Sequence, residues 1–450
     1  MTSEKLRQLP AVFEIVAQLR AQNPQLPDAR LTQAARDGIN HLRTKILDDP
    51  STKIELESIL AHATSSLNRS YAPVEVINAT GVVLHTNLGR APLSRRAMDA
   101  VLNAARSSDL EYDLEAGKRT SRNRLLSRPL AELTHTEAGF IVNNCAAALI
   151  LALAGLGGRA TALARSQIIE IGGGFRLPDI MRVSGVRLHE VGTTNRTRLS
   201  DYEEALEQGA DSILWMHRSN FELSGFTEEP TLAELSKLAT KHRVPLIYDL
   251  GTGLLWDTTD LNLRAEPTIQ DKAVQLADVT LFSGDKLFGG PQAGIIVGKQ
   301  NSVEKLTKHP FARALRADKL TTAALAATLE SHLAGTPEDL PIYQMLTMSP
   351  AQLDDRANAL VSHLNDNQFK IIDVTDTVGG GTMPNSELPG LALELTTGSP
   401  EQLHADLRAA PLPIVTRIKE EAVLIHVRTI DPSQIENIAH KLAKVLATQS

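Results

Sequence analysis

The first part of the chain has the hydrophobic spacing of amphipathic helices. Apolar residues recur every three or four positions along one stripe, namely Leu6, Leu9, Val12, Phe13, Val16 and Leu19. This spacing places them on one face of a helix. Two further helices are predicted over residues 28–46 and 51–67, and Pro24 and Pro50 separate the three segments. We therefore predict a small helical domain over residues 1–70.

From about residue 74 the pattern changes to short apolar runs that alternate with helical repeats. The runs resemble buried strands and cover residues 74–85, 212–217, 244–250, 278–286 and 293–298. A helical repeat at 232–242 lies between two of these runs, and an Ala- and Leu-rich helix is predicted from Cys145. Strands separated by helices predict an α/β layer with a mostly parallel sheet. We assign this large domain to residues 71–335.

After about residue 335 the apolar runs are sparser, and an amphipathic helix closes the chain. This segment predicts a smaller α+β domain over residues 336–450. The sequence contains neither an internal repeat nor a low-complexity tract. The predicted order is therefore a helical domain, a large α/β domain and a small C-terminal α+β domain.

Composition and charge narrow the function classes. Hydrophobic residues make up 42% and charged residues 22% of the 450, which excludes disorder over most of the chain. The net charge of -7 confines any nucleic-acid surface to a local patch. A single cysteine, Cys145, excludes an internal disulfide and a Cys-rich zinc site, and we predict no metal. Without an apolar signal segment or a membrane-spanning run, the sequence predicts a soluble, cytoplasmic protein.

Lys286 is the first candidate for chemistry. It follows a predicted strand in the segment Phe-Ser-Gly-Asp-Lys, and a Gly-Gly-Pro turn comes shortly after it. A desolvated lysine amine is a good nucleophile toward an aldehyde, with which it forms a Schiff base. The alternative is a surface lysine in a hairpin loop.

Asp249 closes another apolar strand and is followed by Gly-Thr-Gly. The carboxyl ends of parallel strands are where α/β proteins bind ligands. Asp249 precedes Lys286 by 37 residues, which is one strand and one crossover. A carboxylate for a pyridine nitrogen and a lysine for an imine are the pair that pyridoxal phosphate requires. The alternative is an aspartate that only caps the next turn.

Two further features are typical of anion binding. Asn144 and Cys145 begin a helix, whose free N–H groups and dipole suit a phosphate, and Ser283 could add a hydroxyl. Arg90 follows a glycine, while Arg313 and Arg316 are three residues apart and are predicted to share one helix face. The alternative for these arginines is a solvated surface.

Five segments, taken in order, carry a resemblance to a known family. They cover residues 77–94, 170–181, 190–197, 282–294 and 309–321. Together they resemble the L-seryl-tRNA(Sec) selenium transferases, the bacterial selenocysteine synthases, over nearly the whole chain. The resemblance implies a pyridoxal-phosphate enzyme of fold type I, which is aspartate-aminotransferase-like. It also implies a homo-oligomer built from dimers, known in the family as a decamer.

The resemblance also implies residue roles. Lys286 would form the imine with pyridoxal 5'-phosphate, and Asp249 would face the ring nitrogen. Asp285 would act in catalysis with Lys286. The selenophosphate site would be made by Arg90, Arg313 and Arg316, beside Asp285. Residues 1–70 would bind the tRNA, so the predicted reaction converts seryl-tRNA(Sec) to selenocysteinyl-tRNA(Sec) with selenophosphate.

The chain departs from the family pattern near the expected cofactor and subunit contacts. The differing positions are Thr120, Leu125, Ser127, Cys145, Gln167 and Ala326. Two alternative functions follow: a divergent small-molecule pyridoxal-phosphate lyase or aminotransferase, and a non-catalytic tRNA-binding protein. The N-terminal helical domain argues against the first alternative, because a small substrate needs no docking module. The intact Lys286 and Asp249 argue against the second.

Overall fold

The structure is a computed structural model that describes residues 2–68, 72–258, 261, 263, 265–362, 364, 369–396 and 399–447. The chain divides into two compact units, Met1–Glu75 and Val76–Ser450. Residues 69–71, which include the predicted end of the helical domain at residue 70, lie outside the described residues.

The N-terminal unit is helical, with helices at Thr2–Leu6, Val12–Gln22, Asp28–Asp48 and Leu56–Leu67. The predicted first helix is two helices, because Pro10 lies between them and cannot continue a helical hydrogen-bond ladder. A Cβ atom on Gly38 would lie 2.6 Å from the carbonyl oxygen of Ile59. The two longest helices therefore approach so closely that only glycine fits there.

The second unit contains a seven-stranded sheet. From one edge to the other its strands are Ala138–Val142, Gly294–Gly298, Val279–Ser283, Leu246–Gly251, Ser212–Met216, Ala160–Ala164 and Arg187–Val191. Gly294–Gly298 is antiparallel to both neighbours, and the other pairs are parallel. The predicted mostly parallel sheet is confirmed.

Helices cover both faces of this sheet. In chain order they are Arg95–Ala104, Arg124–Thr134, Cys145–Leu156, Leu177–Val183, Leu199–Glu207, Leu232–His242, Lys272–Leu276, Gln300–Lys308, Pro310–Ala314 and Lys319–Leu333. Successive strand residues point to opposite faces. Ile213 and Tyr248 accordingly belong to one buried apolar cluster, and Leu214 and Ile247 to another.

A five-stranded sheet forms the C-terminal part of the second unit. Its order is Arg417–Lys419, Ala422–His426, Glu387–Thr396, Lys370–Gly379 and Val82–Leu84. Helices Pro341–Leu346, Pro350–Val361, Pro400–Arg408 and Ile435–Ala447 accompany it.

The predicted strand at 74–85 is two short strands in the structure. Ile77–Asn78 pairs with Ile414–Val415, and Val82–Leu84 pairs with Lys370–Gly379. Gly81, in the left-handed conformation at φ 71°, makes the bend between them. The segment that opens the large domain in the sequence therefore pairs with C-terminal strands.

Two short hairpins complete the fold, Tyr112–Asp113 with Lys118–Arg119 and Glu170–Ile171 with Phe175–Arg176. Within the described ranges, none of the helices has the length and apolar character needed to cross a membrane. The same part of the chain contains no group of three or more His, Cys, Asp or Glu residues arranged to hold a metal ion.

Candidate active site

A pocket of about 310 Å³ lies at the carboxyl ends of the central parallel strands. The predicted site residues that line it are Arg90, Asn144, Cys145, Asp249, Ser283, Asp285 and Lys286. Ligands of open α/β sheets bind at this edge. The fold therefore brings together residues that are far apart in the sequence.

Backbone hydrogen bonds hold the turn that carries Lys286. The turn follows the strand Val279–Ser283, and its Gly284 N–H donates to the Ala293 carbonyl at 2.9 Å. The Leu287 N–H donates to the Thr252 carbonyl at 3.1 Å, which ties the turn to the loop after Asp249. The strand end thus fixes where the Lys286 side chain begins.

Asp249 is buried, with 8% of its surface exposed, and its carboxylate has no hydrogen bond to any residue that the structure describes. Burial raises the pKa of Asp249 to about 6, against the opposing effect of the nearby Lys286 and His217. A Cβ on Gly251 would lie 3.8 Å from Asp249 Oδ1 and 4.0 Å from Lys286 Nζ. The carboxylate and the amine therefore border one space, which a glycine leaves open.

The helix Cys145–Leu156 begins at the pocket. Asn144 caps it, because its side-chain oxygen accepts the Ala147 N–H at 2.9 Å. The N–H groups of Cys145 and Ala146 precede any intrahelical acceptor and are available to an anion. Burial, with a smaller contribution from Asp249, raises the pKa of the Cys145 thiol to about 12. The raised pKa favours the neutral thiol over the reactive thiolate.

Arg90 and Asp285 form an ion pair with Nη1 and Oδ2 2.7 Å apart. The Arg90 backbone is left-handed at φ 65°, and its N–H donates to the His85 carbonyl at 3.1 Å. Asp285 is buried, whereas the Arg90 side chain is 31% exposed. The pair uses one edge of the guanidinium, so other N–H donors remain for an anion in the pocket.

Arg313 and Arg316 do not share a helix face, so that prediction is wrong. The helix Pro310–Ala314 ends before Arg316. The Leu315 carbonyl accepts the Asn143 N–H at 2.9 Å, and Arg316 continues in a bridge with the end of a strand. Because the helix ends at Ala314 and Arg316 pairs with Val142, the two arginines have no common helix on which the i,i+3 spacing could act.

The structure places Arg316 beside Glu111 instead of in the pocket lining. Arg316 Nη1 is 3.4 Å from Glu111 Oε1, and Arg122 Nε is 2.9 Å from the same oxygen. The arginines together hold the pKa of Glu111 below its usual value, with the Arg122 hydrogen bond as the largest cause. Arg313 is exposed and does not line the pocket either.

Sequence reasoning missed His217, which lines the pocket directly after the strand Ser212–Met216. Its Nε2 is 2.6 Å from Oε2 of Glu266. The signal was available, because His217 lies directly after an apolar strand and Asp249 lies near the carboxyl end of the neighbouring one. Among the departures from the family pattern, Gln167 is fully buried and its Oε1 accepts the Met216 N–H at 3.0 Å.

The chain is similar to proteins of one known family. Residues 76–431 match the family model described as SelA, L-seryl-tRNA selenium transferase. The L-seryl-tRNA(Sec) selenium transferase of Aquifex aeolicus is 40% identical over 452 residues, covering 98% of this chain and 99% of the relative. The protein of the same name from Moorella thermoacetica is 41% identical over 466 residues, covering 98% and 97%.

Among solved structures, a D-glucosaminate-6-phosphate ammonia-lyase matches with a TM-score of 0.57 at 18% identity, covering 83% of this chain and 96% of that one. This likeness bears on the fold alone. The family match and the solved structure together confirm the predicted fold type I class. With the family model spanning most of the chain and relatives aligned over nearly all of it, this chain belongs to the L-seryl-tRNA selenium transferase family.

Proposed function

We propose that this protein is a transferase that uses pyridoxal 5'-phosphate to convert seryl-tRNA(Sec) to selenocysteinyl-tRNA(Sec). The observation that carries the proposal is the shared space bordered by the Lys286 amine and the Asp249 carboxylate at the sheet edge. Relatives with this activity in their names align over nearly the whole chain, including its N-terminal unit.

The pocket residues fit the cofactor. Asp249 is a buried carboxylate without a described partner, and a protonated ring nitrogen would satisfy it. The N-terminus of the helix Cys145–Leu156, with the Ser283 hydroxyl nearby, would hold the phosphate. The amine of Lys286 would bond covalently to the aldehyde carbon of the cofactor. When bound, pyridoxal phosphate supplies a carbon that binds amines covalently and a ring that accepts electrons.

The chain's own residues would then handle protons and charge. Lys286 Nζ, as a free amine, takes the α-proton of the seryl group and holds it at the edge of the pocket. Asp249 keeps a negative charge opposite the ring nitrogen, which favours the protonated ring. The serine Cβ–O bond would break, and the oxygen would leave as water with the proton that Lys286 took. Selenium from selenophosphate would bond to the same carbon, and attack of water on phosphorus would break the Se–P bond and release phosphate.

We propose that Arg90 holds selenophosphate and that Asp285 orients Arg90. The 2.7 Å ion pair and the exposed part of the guanidinium support these roles. The case for Arg313 and Arg316 as further donor contacts rests on the family resemblance, because neither lines the pocket of this chain.

A second surface suits self-association. An open groove of about 1110 Å³ lies between the helices Arg95–Ala104 and Lys319–Leu333. Leu114 lines the groove and is 75% exposed, and Leu102, on the helix Arg95–Ala104 but outside the groove lining, is 68% exposed. Exposed apolar side chains that border a groove are typical of surfaces that contact another subunit. We propose that the groove contacts another copy in a homo-oligomer built from dimers, as in the family's decamer.

We propose that residues 1–70 bind the tRNA, that residues 71–335 bind the cofactor and that residues 336–450 form the small domain. The first segment has nine basic and eight acidic residues, a net charge of +1. Bulk charge is too small to drive RNA binding, so a local patch and shape must contribute.

We place the reaction in the cytoplasm, where a lone unpaired cysteine stays reduced.

The test supplies the purified protein with seryl-tRNA(Sec) and selenophosphate and measures selenocysteinyl-tRNA(Sec). We expect product with the wild type and none with Lys286→Ala. Borohydride reduction of the wild type, followed by peptide mapping, should place the pyridoxyl group on Lys286. A label on another lysine, or product formation by Lys286→Ala, would contradict the proposal.

A further inference from the structure

A buried histidine–carboxylate pair lies against the pocket. His217 Nε2 and Glu266 Oε2 are 2.6 Å apart. The Glu266 side chain is 0% exposed and that of His217 is 17% exposed. Glu266 comes from the loop that follows Asp249 in the chain, whereas His217 ends the neighbouring strand.

The pair is adjacent to Asp249. The backbone N–H of His217 donates to the backbone carbonyl of Asp249 at 2.8 Å. The side chains of both residues line the pocket with Lys286. His217 is one of the two nearby groups that lower the pKa of Asp249 against its burial. A change at His217 is therefore felt at the carboxylate that faces the cofactor ring.

Glu266 is unusually placed for a structural carboxylate. Its Oε1 is buried and has no hydrogen-bond partner among the described residues. A buried carboxylate with an unsatisfied oxygen destabilises a fold unless another requirement keeps it. Asp376 provides the contrast, because its two oxygens bond His426 at 2.6 Å and Arg428 at 2.9 Å.

The geometry decides what His217 offers the pocket. When Glu266 is a carboxylate, which can only accept, the 2.6 Å contact places a hydrogen on His217 Nε2. Nδ1 has no hydrogen bond to any residue in the described part of the chain, so it is the ring nitrogen left for a pocket ligand. A carboxylate that bonds one ring nitrogen fixes both the tautomer and the orientation of the imidazole.

We propose that Glu266 is a positioning residue that acts through His217: it holds Nε2–H and thereby presents Nδ1 to the bound cofactor beside Asp249. The inference rests on the proposed function, because it takes the pocket ligand to be pyridoxal 5'-phosphate. His217 then contacts the cofactor, and Glu266 does not.

The test measures the dissociation constant of pyridoxal 5'-phosphate and the pH dependence of the bound cofactor's absorbance. Glu266→Gln has nearly the same shape, but its amide can accept from Nε2 or donate to it, so both tautomers become possible. We expect weaker cofactor binding by roughly tenfold to a hundredfold, the equivalent of one charge-assisted hydrogen bond. The pH at which the absorbance of the bound cofactor changes should also shift. Glu266→Asp keeps the charge and should restore part of both effects.

A double variant tests whether the two residues act as a unit. His217→Gln should weaken cofactor binding as Glu266→Gln does, and the combined variant should bind no worse than His217→Gln alone. Additive losses would overturn the proposal, because they would mean that Glu266 acts without His217. If Glu266→Gln does not fold, Glu266→Asp takes its place in the comparison. Its loss of cofactor affinity should likewise disappear when it is combined with His217→Gln.

Asp376→Asn is the matched control, because it removes a buried carboxylate from a histidine outside the pocket lining. It should lower the melting temperature while cofactor affinity and absorbance stay unchanged. Glu266→Gln behaving like this control would overturn the proposal. A wild-type protein that binds no pyridoxal phosphate would instead overturn the proposed function, so the two failures are distinguishable.

Discussion

Asp249 and Asp285 are buried to similar extents, 8% and 5% exposed, but they differ in pairing. Asp285 has the Arg90 guanidinium at 2.7 Å, whereas Asp249 has no bonded partner in the described part of the chain. Burial therefore works against the charged form of Asp249. We predict that Asp249→Asn stabilises the cofactor-free protein at neutral pH and abolishes most activity.

The size of the effect follows from the pKa. Burial raises the pKa of Asp249 from 3.8 to about 6. At roughly 1.4 kcal/mol per pH unit, this rise corresponds to about 3 kcal/mol. The pKa of Asp249 in the folded protein is above its unfolded value. Its contribution to the free energy of unfolding is therefore complete below pH 3.8 and is lost as the pH rises through about 6. Asparagine carries no charge, so the free energy of unfolding of Asp249→Asn does not fall in this way as the pH rises.

The assay is denaturant unfolding of the cofactor-free protein at pH 5 and pH 8, at one protein concentration. Across this interval the wild type should lose about half of the free energy of unfolding that Asp249 contributes at low pH, roughly 1.4 kcal/mol, while Asp249→Asn should change less. At pH 8 the variant should exceed the wild type by about 3 kcal/mol. Asp285→Asn is the control of opposite sign, because it leaves Arg90 unpaired and should lower stability.

Two results would refute this reasoning. One is an Asp249→Asn variant that is less stable than the wild type at pH 8, which would mean that Asp249 is satisfied in the free protein. The other is a variant with near-normal turnover, since a neutral amide cannot hold the ring nitrogen protonated.

Three further predictions concern the rest of the molecule. A protein comprising Val76–Ser450 should fold as its own compact unit and bind cofactor but lose affinity for seryl-tRNA(Sec), and unchanged affinity in a filter-binding assay would contradict the docking role. Arg313→Ala should raise the selenophosphate concentration needed for half-maximal rate by roughly tenfold or more without changing cofactor absorbance, whereas an unchanged concentration would remove Arg313 from the donor site. Leu114→Asp, at a groove-lining side chain 75% exposed, should reduce the oligomer size measured by light scattering, and an unaltered mass would exclude this groove as the contact.

Local signals in the sequence determined many of the elements. The helix Leu232–His242 has the predicted bounds, because Thr231 and Glu234 form a capping box at its start. The central strands were recognisable as apolar runs, because a parallel sheet covered on both faces buries every position. Lys286 and Asp249 stood out for a related reason, since a charged residue at the end of such a run has few structural uses.

Contacts between distant segments decided what the sequence could not show. The segment around Gly81 joins strands 290 or more residues away, and no local pattern encodes such a pairing. Arg316 left its expected helix face because the Asn143 N–H bonds the preceding carbonyl. The Glu266–His217 pair spans 49 residues and includes a loop residue without periodicity. Helix caps and apolar runs act over a few residues, whereas site geometry depends on which strand ends become neighbours, and only tertiary packing sets that.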